Sequence, residues 1–248
     1  MKLLLALLFL ITTAFAQKIT IFAASDLKFA LDSIKENFLN KYPKNTINII
    51  YGSSGKGRVQ IAHGAPYDLY FSANIDYVNT LYKNKKLITK PKLYAVGRLV
   101  IWSKNKNFDA KKGFQNLLEP WAKKIAIANP AHAPYGQKAK QALESVKIYK
   151  KIKSKIVLGE NISQTANYIN IQAADIGIIA LSLVISPDIA NSKYSSYYLI
   201  DNKLHKPIKQ AYAITSYAKK SDLTKKFYNF FQTKESVKIM KNYGFAAK

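Results

Sequence analysis

Cysteine is absent from all 248 residues, which excludes disulfides, thiolate metal sites and a lipid-bearing cysteine behind a leader. Arginine is almost absent: Arg58 and Arg98 stand alone within a Lys+Arg total of 39. Acidic residues number only 14, so the formal charge is +25. Such a charge can mark a binder of nucleic acid or anionic membranes. Here the lysines are scattered through every segment and no aromatic-basic RNA-binding module occurs, so the sequence points to no nucleic-acid partner. Histidine is scarce too, at positions 63, 132 and 205, and no G-x-S-x-G elbow accompanies it, which argues against a serine hydrolase and for a protein that is not an enzyme.

Long apolar runs are also missing. Met1 to Ala16, MKLLLALLFLITTAFA, has one early lysine, an apolar stretch from Leu3 to Ile11, and small residues at Ala14 and Ala16. The stretch is well short of the roughly 20 residues that cross a bilayer. Residues 1–16 therefore read as a cleaved signal peptide, with the mature chain starting at Gln17.

What is present is an alternation of strands and helices. KITIFAA (Lys18 to Ala24) reads as a strand, followed by a helical pattern at Leu27, Ala30, Leu31, Ile34 and Phe38. Further strands are expected at Thr46–Tyr51, Asp68–Ser72, Leu93–Ser103, Ile125–Ala128 and Asp175–Leu181. Helix patterns follow at Ala139, Ala142, Leu143 and Val146, then at Ile162, Thr165, Ala166 and Ile169. Strands apolar throughout, set between helices, argue for an α/β fold with parallel sheets covered on both faces. The repeated β-α-β layout predicts two similar lobes.

The stretch YGSSGKGRVQ (Tyr51 to Gln60) has the residues of a phosphate loop but not its spacing. Only Ser53 and Ser54 separate Gly52 from Gly55-Lys56, where a nucleotide loop needs four residues. It is one of four helix starts of similar chemistry. The others are Ser25-Asp26, the NPAHAPYG turn with Pro134 at a helix start, and GENISQ, where Asn161 and Gln164 have capping-box spacing. Helix starts carry unpaired N–H groups and the positive end of the dipole, so they bind anions without charged side chains. Each alone is an ordinary cap. Lys56 and Arg58 read as solvent-exposed charges and His132 as a plain loop residue.

Taken together, these blocks resemble the periplasmic molybdate-binding proteins (ModA type) of ABC transporters. The resemblance is carried by KITIFAASDLKFAL, GSSGKGRVQIAHGAPYDLYFSAN, NPAHAPYGQKAKQAL, GENISQTANYI with ADIGIIAL, and the terminal KNYGF. It implies a two-lobed periplasmic solute-binding fold (type II), each lobe a mixed, mostly parallel sheet flanked by helices, with lobe 1 at 17–97 plus 212–248 and lobe 2 at 98–211. Hinge strands are expected near Ala95–Val100 and Gln210–Ile214. It implies a molybdate or tungstate oxyanion as ligand, no cofactor, no free metal cation, and a membrane permease with its ATPase as partners of a monomeric periplasmic protein.

The implied oxyanion shell is Ser25, Asp26, Ser54, Tyr135 and Ile162, with Ser53 and Gly55 in support. Ser25 and Ser54 offer hydroxyl and backbone donors, while Asp26, Tyr135 and Ile162 offer backbone N–H groups. The Asp26 carboxylate is expected to turn away and cap its helix. In some relatives a tyrosine stands where this chain has Ala180, and Tyr135 is expected to supply the missing hydroxyl. Within the same fold the alternatives are a sulfate or phosphate binder, or a ferric-ion binder using Tyr197 and Tyr198. A secreted hydrolase is the remaining one.

Overall fold

A computed structural model describes residues 16–246, so the leader lies outside the described residues except for Ala16. The strands are β1 (Lys18–Ala24), β2 (Thr46–Gly52), β3 (Leu69–Ser72), β4 (Lys92–Gly97), β5 (Leu99–Ser103), β6 (Ile125–Ala128), β7 (Ile156–Gly159), β8 (Ile176–Ala180), β9 (Ser196–Leu199) and β10 (Ile208–Ile214). The longer helices are α1 (Lys28–Lys41), α2 (Ser54–Ala62), α3 (Ile75–Lys83), α4 (Pro134–Ser145), α5 (Ile162–Asn170), α6 (Asp222–Phe230) and α7 (Lys234–Asn242).

Two five-stranded sheets result, ordered β2-β1-β3-β10-β4 and β7-β6-β8-β5-β9. In the first, β1 pairs in parallel with β2 and β3, while β10 runs antiparallel to β3 and β4. The second repeats the plan, with β6 parallel to β7 and β8, and β5 antiparallel to β8 and β9. Four strands of each sheet thus share one direction, which matches the mixed, mostly parallel expectation. The inner strands β3, β5, β6 and β8 are buried along their whole length, because helices cover both faces.

The helical spacing in α1 buries Ala30, Leu31, Ile34 and Phe38. The Phe38 ring meets Phe227 and Phe230 edge-on at 5.1 and 5.3 Å, tying α1 to α6. Burying such a ring is worth about 1.5–3 kcal/mol. β7, α3, α6 and α7 lie outside the strands and helices expected from the sequence.

The run from Leu93 to Ser103 is not one strand. It breaks at Arg98, with β4 in the first sheet and β5 in the second, so the chain passes from one sheet to the other there. The second crossing comes earlier than Gln210–Ile214. The chain leaves β9 at Leu199 and enters the first sheet at Ile208, where Ile208 pairs with Gly97. Residues 208–211 therefore sit in the first sheet rather than in the second lobe.

Candidate functional site

The carboxyl ends of β1, β2, β6 and β7 all feed helix starts, and these four turns meet between the two sheets. That is where ligands lie in open α/β sheets. Ala24, Ser25, Asp26, Gly52, Ser53, Ser54, Ala73, Ala133, Pro134, Tyr135 and Ile162 line one small cavity of about 10 Å³. Six of the seven sequence candidates (Ser25, Asp26, Ser53, Ser54, Tyr135 and Ile162) belong to that lining and are buried. The first-turn N–H groups of α2, α4 and α5 have no partner within their own helices.

The seventh, Gly55, is not in the lining, and its N–H is already used. It donates to the His132 carbonyl at 2.9 Å across the gap between the lobes. Ser53 does not cap α2 with its side chain; its Oγ lies 2.8 Å from His132 Nδ1 instead. His132 is thus a turn residue, as expected, that also makes contacts across the lobes. Lys56 is exposed, as expected, and pairs with Glu160 of the other lobe at 2.5 Å, while Glu160 also stands 3.7 Å from His132 Nε2. Arg58 lies over the Tyr77 ring at 5.4 Å.

On the other side of the cavity, Ser25 Oγ donates to Asn161 Oδ1 at 3.1 Å and accepts the Ser163 N–H at 3.2 Å. Ser163 Oγ donates to the Ser25 carbonyl at 2.7 Å. Asn161 caps α5 by accepting the Gln164 N–H, but the return bond of the capping box goes to the Glu160 N–H. Ser54 Oγ accepts the Ala73 N–H at 2.9 Å, which leaves its own proton for another acceptor. With these contacts made, the lobes are closed on each other.

Asp26 departs most from expectation. Its carboxylate does not cap the helix: Oδ2 accepts from Gln210 Nε2 at 2.7 Å and from the Tyr135 hydroxyl at 2.9 Å. Oδ1 is buried with no partner. Burial raises the carboxyl from its usual 3.8 to about 7, with the hydrogen bonds from Gln210 and Tyr135 opposing the rise. The Tyr135 hydroxyl is held well above the usual phenol range by burial and by the Asp26 charge beside it. In this closed arrangement its one proton goes to Asp26 and not into the cavity.

Gln210 and His132 were not among the sequence candidates, although both touch candidate residues. Gln210 sits on β10 with nothing local to mark it, since its role exists only where the two crossings meet. For His132, the signal was its place in the turn that leads into α4.

Tyr197 and Tyr198 lie on β9, at successive positions that face opposite sides, and neither lines the cavity. Tyr198 packs against Phe114 with ring centres 6.1 Å apart. They do not form a paired-tyrosine ferric site.

A closed pair of α/β lobes around a small buried cavity of helix starts defines a solute-binding protein that encloses its ligand. The sequence model of the bacterial extracellular solute-binding proteins matches residues 19–246, and the chain belongs to that family. It is 32% identical to the "Putative ABC transporter substrate-binding lipoprotein YvgL" of Bacillus subtilis, over 93% of this chain and 86% of that one. It is 28% identical to the molybdate-binding protein ModA of Rhodobacter capsulatus, over 82% and 79% of the two chains. The periplasmic molybdate-binding protein of Azotobacter vinelandii superposes with a TM-score of 0.85 at 27% identity, covering 93% of this chain and 99% of the other.

Proposed function

We propose that this chain captures molybdate or tungstate in the periplasm and delivers it, as a monomer, to the permease of an ABC transporter driven by a cytoplasmic ATPase. The observation that carries the reading is the convergence of four helix starts on one cavity whose lining holds no lysine, arginine or histidine. A tetrahedral dianion needs only donors, and helix N-termini with serine hydroxyls supply them without a counter-charge. Similarity to molybdate-binding proteins of Rhodobacter capsulatus and Azotobacter vinelandii supports the choice of anion.

The donors are the backbone N–H groups of Ser54, Tyr135 and Ile162 with the Ser54 hydroxyl. Ser25 joins them when its hydroxyl rotates from Asn161. Asp26 lends its N–H and, as the one carboxyl in the lining, decides which anions are tolerated. Size is the remaining filter, because a shell set for a larger anion leaves the hydrogen bonds to sulfate too long. Binding closes the lobes by hinge motion at the two crossings, and the closed form is what the permease meets. No reaction is involved.

Calorimetric titration with molybdate, tungstate, sulfate and phosphate tests this reading. Tight binding of the first two over the others is expected; equal binding of all four overturns the selectivity. One observation favours a second reading, a serine hydrolase: Ser53, His132 and Glu160 form a hydroxyl–imidazole–carboxylate row. Its second gap of 3.7 Å exceeds a hydrogen bond, and the row spans both lobes. Labelling of Ser53 by a fluorophosphonate would establish it.

A further inference from the structure

A carboxylate is the wrong neighbour for a dianion, yet Asp26 lines the cavity at 1% exposure. Its two oxygens differ. Oδ2 already accepts two hydrogen bonds, from Gln210 and Tyr135, while Oδ1 is buried and unpartnered. None of the ion pairs among the described residues includes Asp26, so no cation there offsets its charge.

We propose that Asp26 is a proton-carrying ligand: as the lobes close over the anion, Oδ1 takes up one solvent proton and donates it to an oxygen of the bound dianion. This inference rests on the oxyanion reading above. The balance is one protein, one proton from water and one dianion, giving one closed complex; nothing is oxidised or reduced.

Every group facing Asp26 is consistent with this role. Tyr135 on α4 and Gln210 on β10 hold Oδ2, Ser182 after β8 donates to the Asp26 carbonyl at 2.8 Å, and Tyr94 on β4 is near enough for the Asp26 charge to oppose its ionisation. Both tyrosines are pushed well above the usual phenol range and stay neutral, so Asp26 is the group that titrates. In the closed arrangement burial brings its carboxyl to about 7. A dianion at Oδ1 raises it further, and opening the lobes, which admits water to the carboxyl, lowers it towards the usual carboxylate range.

Closure over the anion therefore binds a proton wherever the open form is ionised and the complex is not. Affinity falls as pH rises through that window, approaching tenfold per pH unit. With Oδ1 protonated the shell contains donors only. The proton of hydrogenphosphate then has no acceptor, which gives the carboxyl a part in selectivity.

The test is calorimetric titration of the full mature chain with molybdate and with tungstate, near pH 7.5, in two buffers of different ionisation enthalpy. The expected result is uptake of close to one proton per anion, a dissociation constant that rises steeply between about pH 7 and 8.5, and neither effect in Asp26→Asn. Anion binding with no proton uptake and a flat affinity from pH 6 to 9 overturns the proposal while leaving the oxyanion reading intact. No binding of either anion at any pH overturns both. The wild-type measurement decides the matter even if Asp26→Asn fails to fold.

Discussion

The N–H of Gly55 in α2 donates to the carbonyl of His132 at 2.9 Å, so the two lobes touch backbone to backbone beside the cavity. A methyl group at position 55 would lie 2.5 Å from that same carbonyl oxygen. Because the clash is between lobes, it arises only on closure. Gly55→Ala is expected to fold normally but to weaken anion binding by the roughly 1–3 kcal/mol typical of overpacking. Titration calorimetry beside apo melting curves checks this; an unchanged affinity would mean that the lobes close some other way.

Ser54 and Lys56 are two residues apart and should behave differently. Ser54→Ala removes a hydroxyl from the cavity and also an acceptor for the Ala73 N–H, so a loss of about 1.5–3 kcal/mol in anion binding is expected. Lys56 is half-exposed and pairs with Glu160 outside the cavity. Its replacement by alanine should cost about 0–1 kcal/mol, shrinking further with added salt. A larger loss at Lys56 would mean that charge, rather than neutral donors, holds the anion.

Molybdate and tungstate should raise the melting temperature, since a ligand that binds only the native state stabilises it by mass action. At a concentration one hundred times the dissociation constant the gain is about 2.7 kcal/mol. For a chain of this size that is about 5–10 °C. Sulfate at the same concentration should give little shift, and differential scanning fluorimetry with all four anions reads it directly.

Much of this molecule was legible in the sequence because its strands are short, apolar and separated by turns of fixed chemistry. KITIFAA and IAIA matched their strands residue for residue, and the four helix starts identified by Ser25, Ser54, Tyr135 and Ile162 meet at one cavity. The single run through Arg98 misled because β propensity does not reveal which sheet a residue joins. The Asp26 side chain misled for a related reason. Capping is a local rule, whereas its partners Tyr135 and Gln210 arrive from 109 and 184 residues away. His132 was passed over because a lone histidine has no sequence pattern; Ser53 and Glu160 reach it only on closure.

Tyr135→Phe separates the two roles open to its hydroxyl. In the closed structure that hydroxyl donates to Asp26 Oδ2 and so favours the charged carboxylate. Its removal should raise the Asp26 carboxyl above its present value of about 7, because burial would then be opposed by fewer hydrogen bonds. The sign follows from linkage. A carboxyl raised by closure favours the closed form at low pH and loses that advantage as pH rises through the closed-form value, so a higher value moves the loss upward. Tyr135→Phe should therefore keep taking up protons at a pH where wild-type uptake has begun to fade, with the steep part of its affinity profile displaced to higher pH. A hydroxyl aimed at the anion predicts something else: weaker binding by the same factor at every pH and an unmoved profile. Titrations of both proteins at half-unit steps from about pH 6 to 9 distinguish the two, and a uniform loss would return Tyr135 to the role of a direct ligand.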